Sequence, residues 1–308
     1  MKKILCMGSI NIDLTMFTKD LPKPGETIKT DNFQTFPGGK GGNQSATIGK
    51  LGGDVKFLTK LSDDLFSKQL LEEQKKLGVD VSSVIIEKSD TAGVAMIMVD
   101  DKAQNSILFT PGANAKLTAK DVLDNSSVFD GCDILEITME IPTETCYQAI
   151  RIAKEKGLIV VLDPAPAPKE GIPKEIYKLV DYIKPNETET EILTGIKVVD
   201  LDSAKKGLNE LISLGVKNPI ISLGKQGCIY KNKDNEIEFV KSVDMKSIDT
   251  TAAGDIFLAG FTYALSNDKS MKYCIDFANV IASLSTTKKG AQTSIPTLEQ
   301  VLDLFEES

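Results

Sequence analysis

The sequence predicts an α/β protein: a mainly parallel sheet with helices on both faces. Short apolar runs without polar alternation recur at Ile4 to Met7, Val55 to Thr59, Ile134 to Ile137, Leu158 to Leu162, Tyr182 to Lys184 and Ile220 to Leu223, as strands buried on both sides do. Between them stand helical patterns closed by Gly78, Gly157, Gly195 and Gly215, where a helix C-terminus favours glycine. Strands joined by helices pair in parallel. With 308 residues, 41% of them hydrophobic, the chain can bury a large core, and no internal repeat or low-complexity segment divides it. That length could be one large α/β domain or two ordinary ones.

Taken in order, the opening Met1-Lys-Lys-Ile-Leu-Cys-Met-Gly reads as a buried first strand. It turns into Ser9-Ile-Asn-Ile-Asp13 before the apolar core of a signal peptide develops, and no apolar run is long enough to span a bilayer, which leads to the expectation of a cytoplasmic protein. Residues 14–36 are extended and lack a crossover helix. Pro37-Gly-Gly-Lys-Gly-Gly-Asn43 then leads into a helical pattern from Gln44 to Leu51. Residues 91–110 read as a hairpin, with Val94 to Val99, a polar turn over Asp100 to Asn105, and Ser106 to Phe109. A sheet this small should cover a ligand, a second subunit or both. A later hairpin, Cys228 to Tyr230 and Ile237 to Val240, suits an edge of the main sheet. Asp249-Thr-Thr-Ala-Ala-Gly-Asp255 precedes the apolar run Ile256 to Ala259 as a helix start, and Thr286 to Ser294 is a polar loop before the final helix.

Composition narrows the chemistry. Five scattered cysteines without a Cys-x-x-Cys pair read as reduced core residues. A net charge of −8 repels a phosphate backbone, so nucleic acid is not an expected partner. The chain has no histidine, which excludes Ser-His-Asp and Cys-His mechanisms and any zinc site needing imidazole. Its one arginine is Arg151, in a helical pattern. Phosphate handling would therefore fall to backbone N–H groups, lysines and metal ions.

The Asp249–Asp255 stretch is the first candidate for chemistry. Ala252, Ala253 and Gly254 leave the unpaired N–H groups of a helix start accessible to an anion, with Asp255 aimed alongside; an Asp in a first turn also serves as a plain cap. The four glycines at 38, 39, 41 and 42 permit positive φ and close backbone approach, suiting a hinge or a ligand-touching helix start, although the spacing matches neither a Walker A loop nor a dinucleotide fingerprint. Asn11 and Asp13 share one face of an extended chain, and an amide beside a carboxylate suits a polyol; strand-end turns use the same residues. Glu140 follows a core strand. Asp163-Pro-Ala-Pro-Ala-Pro168 reads as a structural turn. Lys184-Pro-Asn-Glu-Thr-Glu189 makes Asn186 a helix cap, with oxygens that a Mg²⁺-phosphate site would also use. Ser222-Leu-Gly-Lys-Gln-Gly227 suits a nucleotide contact.

These stretches, together with Pro111-Gly-Ala-Asn114 and Lys289-Gly-Ala-Gln292, occur in the order found in the ribokinase-like family of carbohydrate kinases, which the chain resembles over nearly its whole length. The resemblance implies a single domain over residues 1–308, a three-layer α/β/α sandwich with a small β lid formed by about 14–36 and 91–110, and a homodimer joined through the lids. It implies transfer of the ATP γ-phosphoryl group to the 5-hydroxyl of ribose. By the same resemblance Asn11, Asp13, Gly39, Lys40, Gly41, Gly42, Asn43 and Glu140 bind the sugar, Asp255 is the base, and Ala252, Ala253 and Gly254 form the anion hole. Asn186, Ser222, Leu223, Gly224, Lys225, Gln226, Gly227, Gly254 and Asn279 meet ATP. Asn186 and Glu189 form an element tied to Mg²⁺ and phosphate, and K⁺ sits among Asp249, Thr251, Ser285, Lys288, Gly290 and Ser294. Phosphoryl transfer needs positioning and charge stabilisation, which a protein without histidine can supply. Deoxyribose, fructose or a nucleoside remain alternative acceptors. A nicotinamide oxidoreductase lacks its fingerprint after the first strand, and a non-catalytic sugar-binding protein would not need Asp255.

Overall fold

The computed structural model describes residues 1–30, 32–102 and 104–307, so positions 31 and 103 of the expected lid, and position 308, lie outside the described residues. Its strands are β1 (Ile4–Met7), β2 (Asn11–Thr18), β3 (Asn32–Gly38), β4 (Val55–Leu58), β5 (Lys60–Ser62), β6 (Ile85–Glu87) and β7 (Gly93–Asp100). They continue with β8 (Asn105–Thr110), β9 (Ile134–Thr138), β10 (Ile159–Asp163), β11 (Tyr182–Ile183), β12 (Asn218–Ser222), β13 (Gly227–Lys231) and β14 (Ile237–Lys241). Among the described residues, an eight-stranded sheet has the order β14-β13-β12-β11-β10-β9-β1-β4, beside a four-stranded sheet β3-β2-β7-β8 and a β5-β6 pair.

In the large sheet every pairing from β4 to β12 is parallel, and only the β12-β13-β14 edge is antiparallel. That edge is the late hairpin expected from the sequence. Both faces are buried. Along β1, Ile4 and Cys6 join one apolar cluster with Ile134, Val161 and Ile256, while Leu5 and Met7 join the other with Leu135, Val160 and Leu162. The three layers follow from this two-sided burial. All five cysteines are free and buried. No helix is long and apolar enough to cross a membrane among the described residues.

The smaller sheet holds the expected extended segments, with boundaries three residues earlier at Asn11 and two later at Gly38. In it β2 runs parallel to β7 and antiparallel to β3, and β8 closes the far edge. The chain leaves the main sheet at the end of β1, whose neighbours β4 and β9 are reached in opposite directions. Ligand crevices of open α/β sheets form where the strand order reverses in this way, at the carboxyl ends.

One expectation changes. The helix after the glycine-rich stretch is Lys40–Lys50, starting four residues before Gln44 and taking Gly41 and Gly42 into its first turn. Of the glycines at 38, 39, 41 and 42, only Gly39 has a positive φ, at 81°. Gly41 is needed for a different reason: a Cβ there would stand 2.7 Å from both the Cα and the carbonyl carbon of Gly8. Alanine favours a helix over glycine by about 1 kcal/mol, whereas forcing a methyl against unyielding backbone costs about 1–3 kcal/mol. Gly41→Ala is therefore expected to destabilise the protein despite its better helix propensity. Urea denaturation measures the sign, and an unchanged or raised midpoint would contradict the close approach.

Candidate active site

The helix Ala253–Ser266 begins at Ala252, whose φ of 61° and ψ of 7° lie in the left-handed region, and no side chain caps it. A non-glycine residue held there costs about 1–3 kcal/mol, and the small alanine keeps that cost low. The uncapped start leaves backbone donors and the positive end of the dipole facing the crevice. Asp255, in the first turn, is only 5% exposed. Asn43 Nδ2 donates to its Oδ2 at 2.8 Å, and Lys40 Nζ stands 3.7 Å from its Oδ1. Asp255 in turn holds the Lys40 ammonium well above its ordinary range against the opposing effect of burial.

The start of the Lys40–Lys50 helix faces a second carboxylate. Glu140 Oε2 accepts from the Lys40 backbone N–H at 3.2 Å and from the Ser9 hydroxyl, while Lys40 N also donates to Ser9 Oγ at 3.1 Å. Glu140 thus caps the helix from across the β1–β9 switch point. Asn11 and Asp13 do share a face of β2, and with Thr15 and Phe17 they line a cleft of about 930 Å³. Burial, reinforced by the charge of Glu140, pushes the Asp13 carboxyl up to about 6.

The cleft brings together Asn11, Asp13, Gly39, Lys40, Asn43, Glu140, Asp249, Thr251, Ala252, Asp255 and Gly290 of the expected residues, under lid residues such as Ala95, Ile97 and Ile107. Gly41 and Gly42 are buried behind it against the turn after β1. Ala253 and Gly254 continue the helix start beneath it.

Asp249 joins two loops: its Oδ1 accepts from Thr251 N at 2.9 Å and Oγ1 at 2.6 Å, and its Oδ2 from Gly290 N at 2.8 Å. Burial would raise this carboxyl, but those hydrogen bonds hold it below the ordinary carboxylate range. Ser285 and Ser294 are buried, their hydroxyls donating to the Ala282 and Ala291 carbonyls, and Lys288 N donates to the Ser285 carbonyl at 3.2 Å.

Asn186 and Glu189 close a capping box on each other: Glu189 N donates to Asn186 Oδ1 and Asn186 N to Glu189 Oε2, each at 2.9 Å. Ser222 N donates to the Pro185 carbonyl at 3.0 Å, which places the Ser222–Gly227 turn beside this cap. Asn279 lines a separate cleft of about 290 Å³ with Val240, Val243, Val280 and Phe305. Gly227 and Cys228 pair with Lys241 and Val240 at its edge.

Three residues stand in stretches quoted from the sequence but were given no role of their own there. Asn114 clamps the lid hinge: its Oδ1 accepts from Ile10 N at 3.0 Å, and its Nδ2 donates to Asn11 Oδ1 at 2.9 Å. Lys184 Nζ donates to the Gly254 carbonyl at 3.2 Å and lies 3.6 Å from Asp163 Oδ1, tying the helix start to the sheet. Asp163, read as part of a structural turn, also accepts from Gln44 Nε2 at 3.0 Å. The signal available for the last two was charge placed directly at the ends of buried strands.

Residues 1–298 match the family described as pfkB family carbohydrate kinase. The chain belongs to that family. It is 37% identical to a ribokinase of Staphylococcus aureus over 301 residues, covering 97% of this chain and 98% of that one. It is 34% identical to a deoxyribokinase of Salmonella typhi, covering 96% of each. Among solved structures, Arabidopsis thaliana ribokinase complexed with ribose and ATP superimposes with a TM-score of 0.94 at 31% identity, covering 100% of this chain and 99% of that one. In this chain the switch-point crevice and the uncapped helix start coincide.

Proposed function

We propose that the chain transfers the γ-phosphoryl group of ATP to the 5-hydroxyl of D-ribose, giving ribose 5-phosphate and ADP, with Asp255 as general base. The observation that carries this reading is a buried carboxylate at an uncapped helix start, facing a cleft whose other wall offers Asn11, Asp13 and Glu140 to a polyol. Asp255 takes the proton of the hydroxyl, the freed oxygen attacks the γ-phosphorus, and the bond to ADP breaks. Negative charge gathering on the transferring group meets the N–H groups of Ala252 and Gly254 and the Lys40 ammonium, while the Ala253 N–H already donates to the Thr250 carbonyl at 3.2 Å. Fixed dipoles of this kind act more strongly where water is excluded.

Adenine fits the cleft at Asn279, with the phosphates passing the Ser222–Gly227 turn toward the helix start. Mg²⁺ would be held near Asn186 and Glu189 through waters, supplying charge neutralisation between the phosphates. Only Oε2 of Glu189 is engaged by the cap, so its carboxylate can still bind such waters. Deoxyribose is the second reading, favoured by the deoxyribokinase relative, since the two sugars differ by one hydroxyl.

A coupled ADP-release assay with ribose, deoxyribose, fructose, adenosine and cytidine is expected to give ribose the highest kcat/KM. Asp255→Asn should lower kcat by at least about 10²-fold while ATP binding persists, as loss of a general base does. Fructose or a nucleoside as the best acceptor would displace the ribose assignment, and a fully active variant would remove Asp255 from the base role.

We further propose K⁺ activation at the Asp249 loops, as the resemblance to the family implies. Backbone carbonyls beside one carboxylate suit a large, weakly hydrated cation, and ordering those loops would fix the helix start. Rates should rise when K⁺ replaces Na⁺ at constant ionic strength, and Asp249→Ala should remove the difference; equal rates in both salts would count against the site.

The lid also supports a dimer. Met16, Phe33, Met96 and Leu108 are exposed on the face opposite the cleft, with Met16 opposite Phe33 and Met96 opposite Leu108 in the strand register. Such an apolar patch suits a second lid. Light scattering at micromolar concentration should give twice the chain mass; a monomer would refute this interface.

A further inference from the structure

Glu136 has no part in the reaction described above, yet it occupies a costly position for a carboxyl. It lies in the middle of β9 with 0% exposure, and its register partners are Cys6 on β1 and Val161 on β10. Residues two apart on a strand share a face, so Glu136 and Asp163 are diagonal neighbours on the side that packs against the Lys40–Lys50 and Ala253–Ser266 helices. From the second helix comes Thr262, seven residues after Asp255 and therefore two turns along the same face. Both Glu136 oxygens and Thr262 Oγ1 are buried without a completed hydrogen bond, as are Gln44 Oε1 and Asp163 Oδ1. A carboxylate is poorly tolerated in such surroundings, whereas a neutral acid is acceptable.

We propose that Glu136 is a positioning residue: as an uncharged carboxyl it supports the Ala253–Ser266 helix from beneath, and as a carboxylate it would set a negative charge behind Asp255 and the anion hole. Burial, partly opposed by Thr262, raises Glu136 to about 8, with the charges of Asp163 and Asp255 adding to the rise and Lys184 resisting it. The groups around it are Cys6 from β1, Asp163 from β10, Lys184 after β11, and Asp255 and Thr262 from the helix. Asp163 in turn feels the charges of Lys40 and Glu189. The side chain is therefore neutral at pH 7. Above pH 8 it ionises, repelling Asp255 and weakening the pull of the helix start on the transferring phosphoryl group.

The inference rests on Asp255 acting as the base, and its test separates the two. Wild type, Glu136→Gln and Glu136→Leu are compared for kcat/KM between pH 6 and 9.5, with whichever sugar the wild type uses best. At pH 6.5 the three should agree within about threefold; by pH 9 the wild type should fall about tenfold below the variants, as one ionisation near 8 requires.

Melting without substrate supplies the second readout. Between the ordinary glutamate value of 4.5 and about 8, the folded chain keeps a proton that the unfolded chain has lost, so wild-type stability falls as pH rises through that window. The variants lack this slope, and their Tm advantage should grow by roughly 5 °C from pH 5 to 8. Superimposable pH–rate profiles, a Tm difference independent of pH, or failure of both neutral variants to fold would each overturn the proposal. If the wild type phosphorylates no sugar, the kinase reading fails, and the melting comparison alone decides for or against an uncharged Glu136.

Discussion

The site depends on a backbone-to-backbone contact. The first turn of the Lys40–Lys50 helix lies directly on the turn that leaves β1: a Cβ at Gly39 would be 2.7 Å from Ile10 Cα, and one at Gly41 equally close to Gly8. No side chain fits between the two segments. This approach brings Asn43 and Lys40 onto Asp255, and puts Ser9 and the Lys40 N–H on Glu140. Two helix starts thereby converge on one crevice, each with a carboxylate beside it. The positive ends of both dipoles offset part of the repulsion between acids brought so near.

Charge is otherwise managed by lysines anchored to carboxylates. Lys40 sits against Asp255, and Lys184 bridges Asp163 and the Gly254 carbonyl. Each ammonium is held against a carboxylate beside the first turn of the Ala253–Ser266 helix, so its positive charge is already oriented there. A compact ammonium serves this purpose without the planar, bidentate geometry of arginine. Preorganisation of this kind is most effective where the dielectric is low, which is why the cover above the cleft matters as much as the groups within it.

That cover divides its two faces by simple alternation. On β2, Asn11, Asp13, Thr15 and Phe17 point into the cleft while the residues between them point away. Its hinge is held by Asn114, which binds the backbone on both sides of Ile10. Gly93 completes the hinge, because a Cβ there would be 2.1 Å from Asn11 Oδ1 and would break the Asn11–Asn114 pair. One amide side chain and one glycine thus join the smaller sheet to the turn after β1.

The parallel sheet, its helices and its late antiparallel edge were legible in the sequence because they rest on local periodicity and on glycines at helix ends, which need no knowledge of distant partners. Asn11 and Asp13 facing one way was legible for the same reason, being a consequence of strand geometry alone. The helix at 40–50 was read four residues short, since glycine propensity argues against a helix there and only contact with Gly8, about thirty residues earlier in the chain, overrides it. Asp163, Lys184 and Glu136 were given no role because a charge in or at the end of an apolar strand marks a position without naming its partner. Its meaning comes from what the neighbouring strands and the helix above bring within reach. Sequence by itself determined which segments form strands and helices and which residue types are available for chemistry. Tertiary structure decided which carboxylates are buried, paired or alone, because the energy of a charge is set by surroundings contributed from all along the chain.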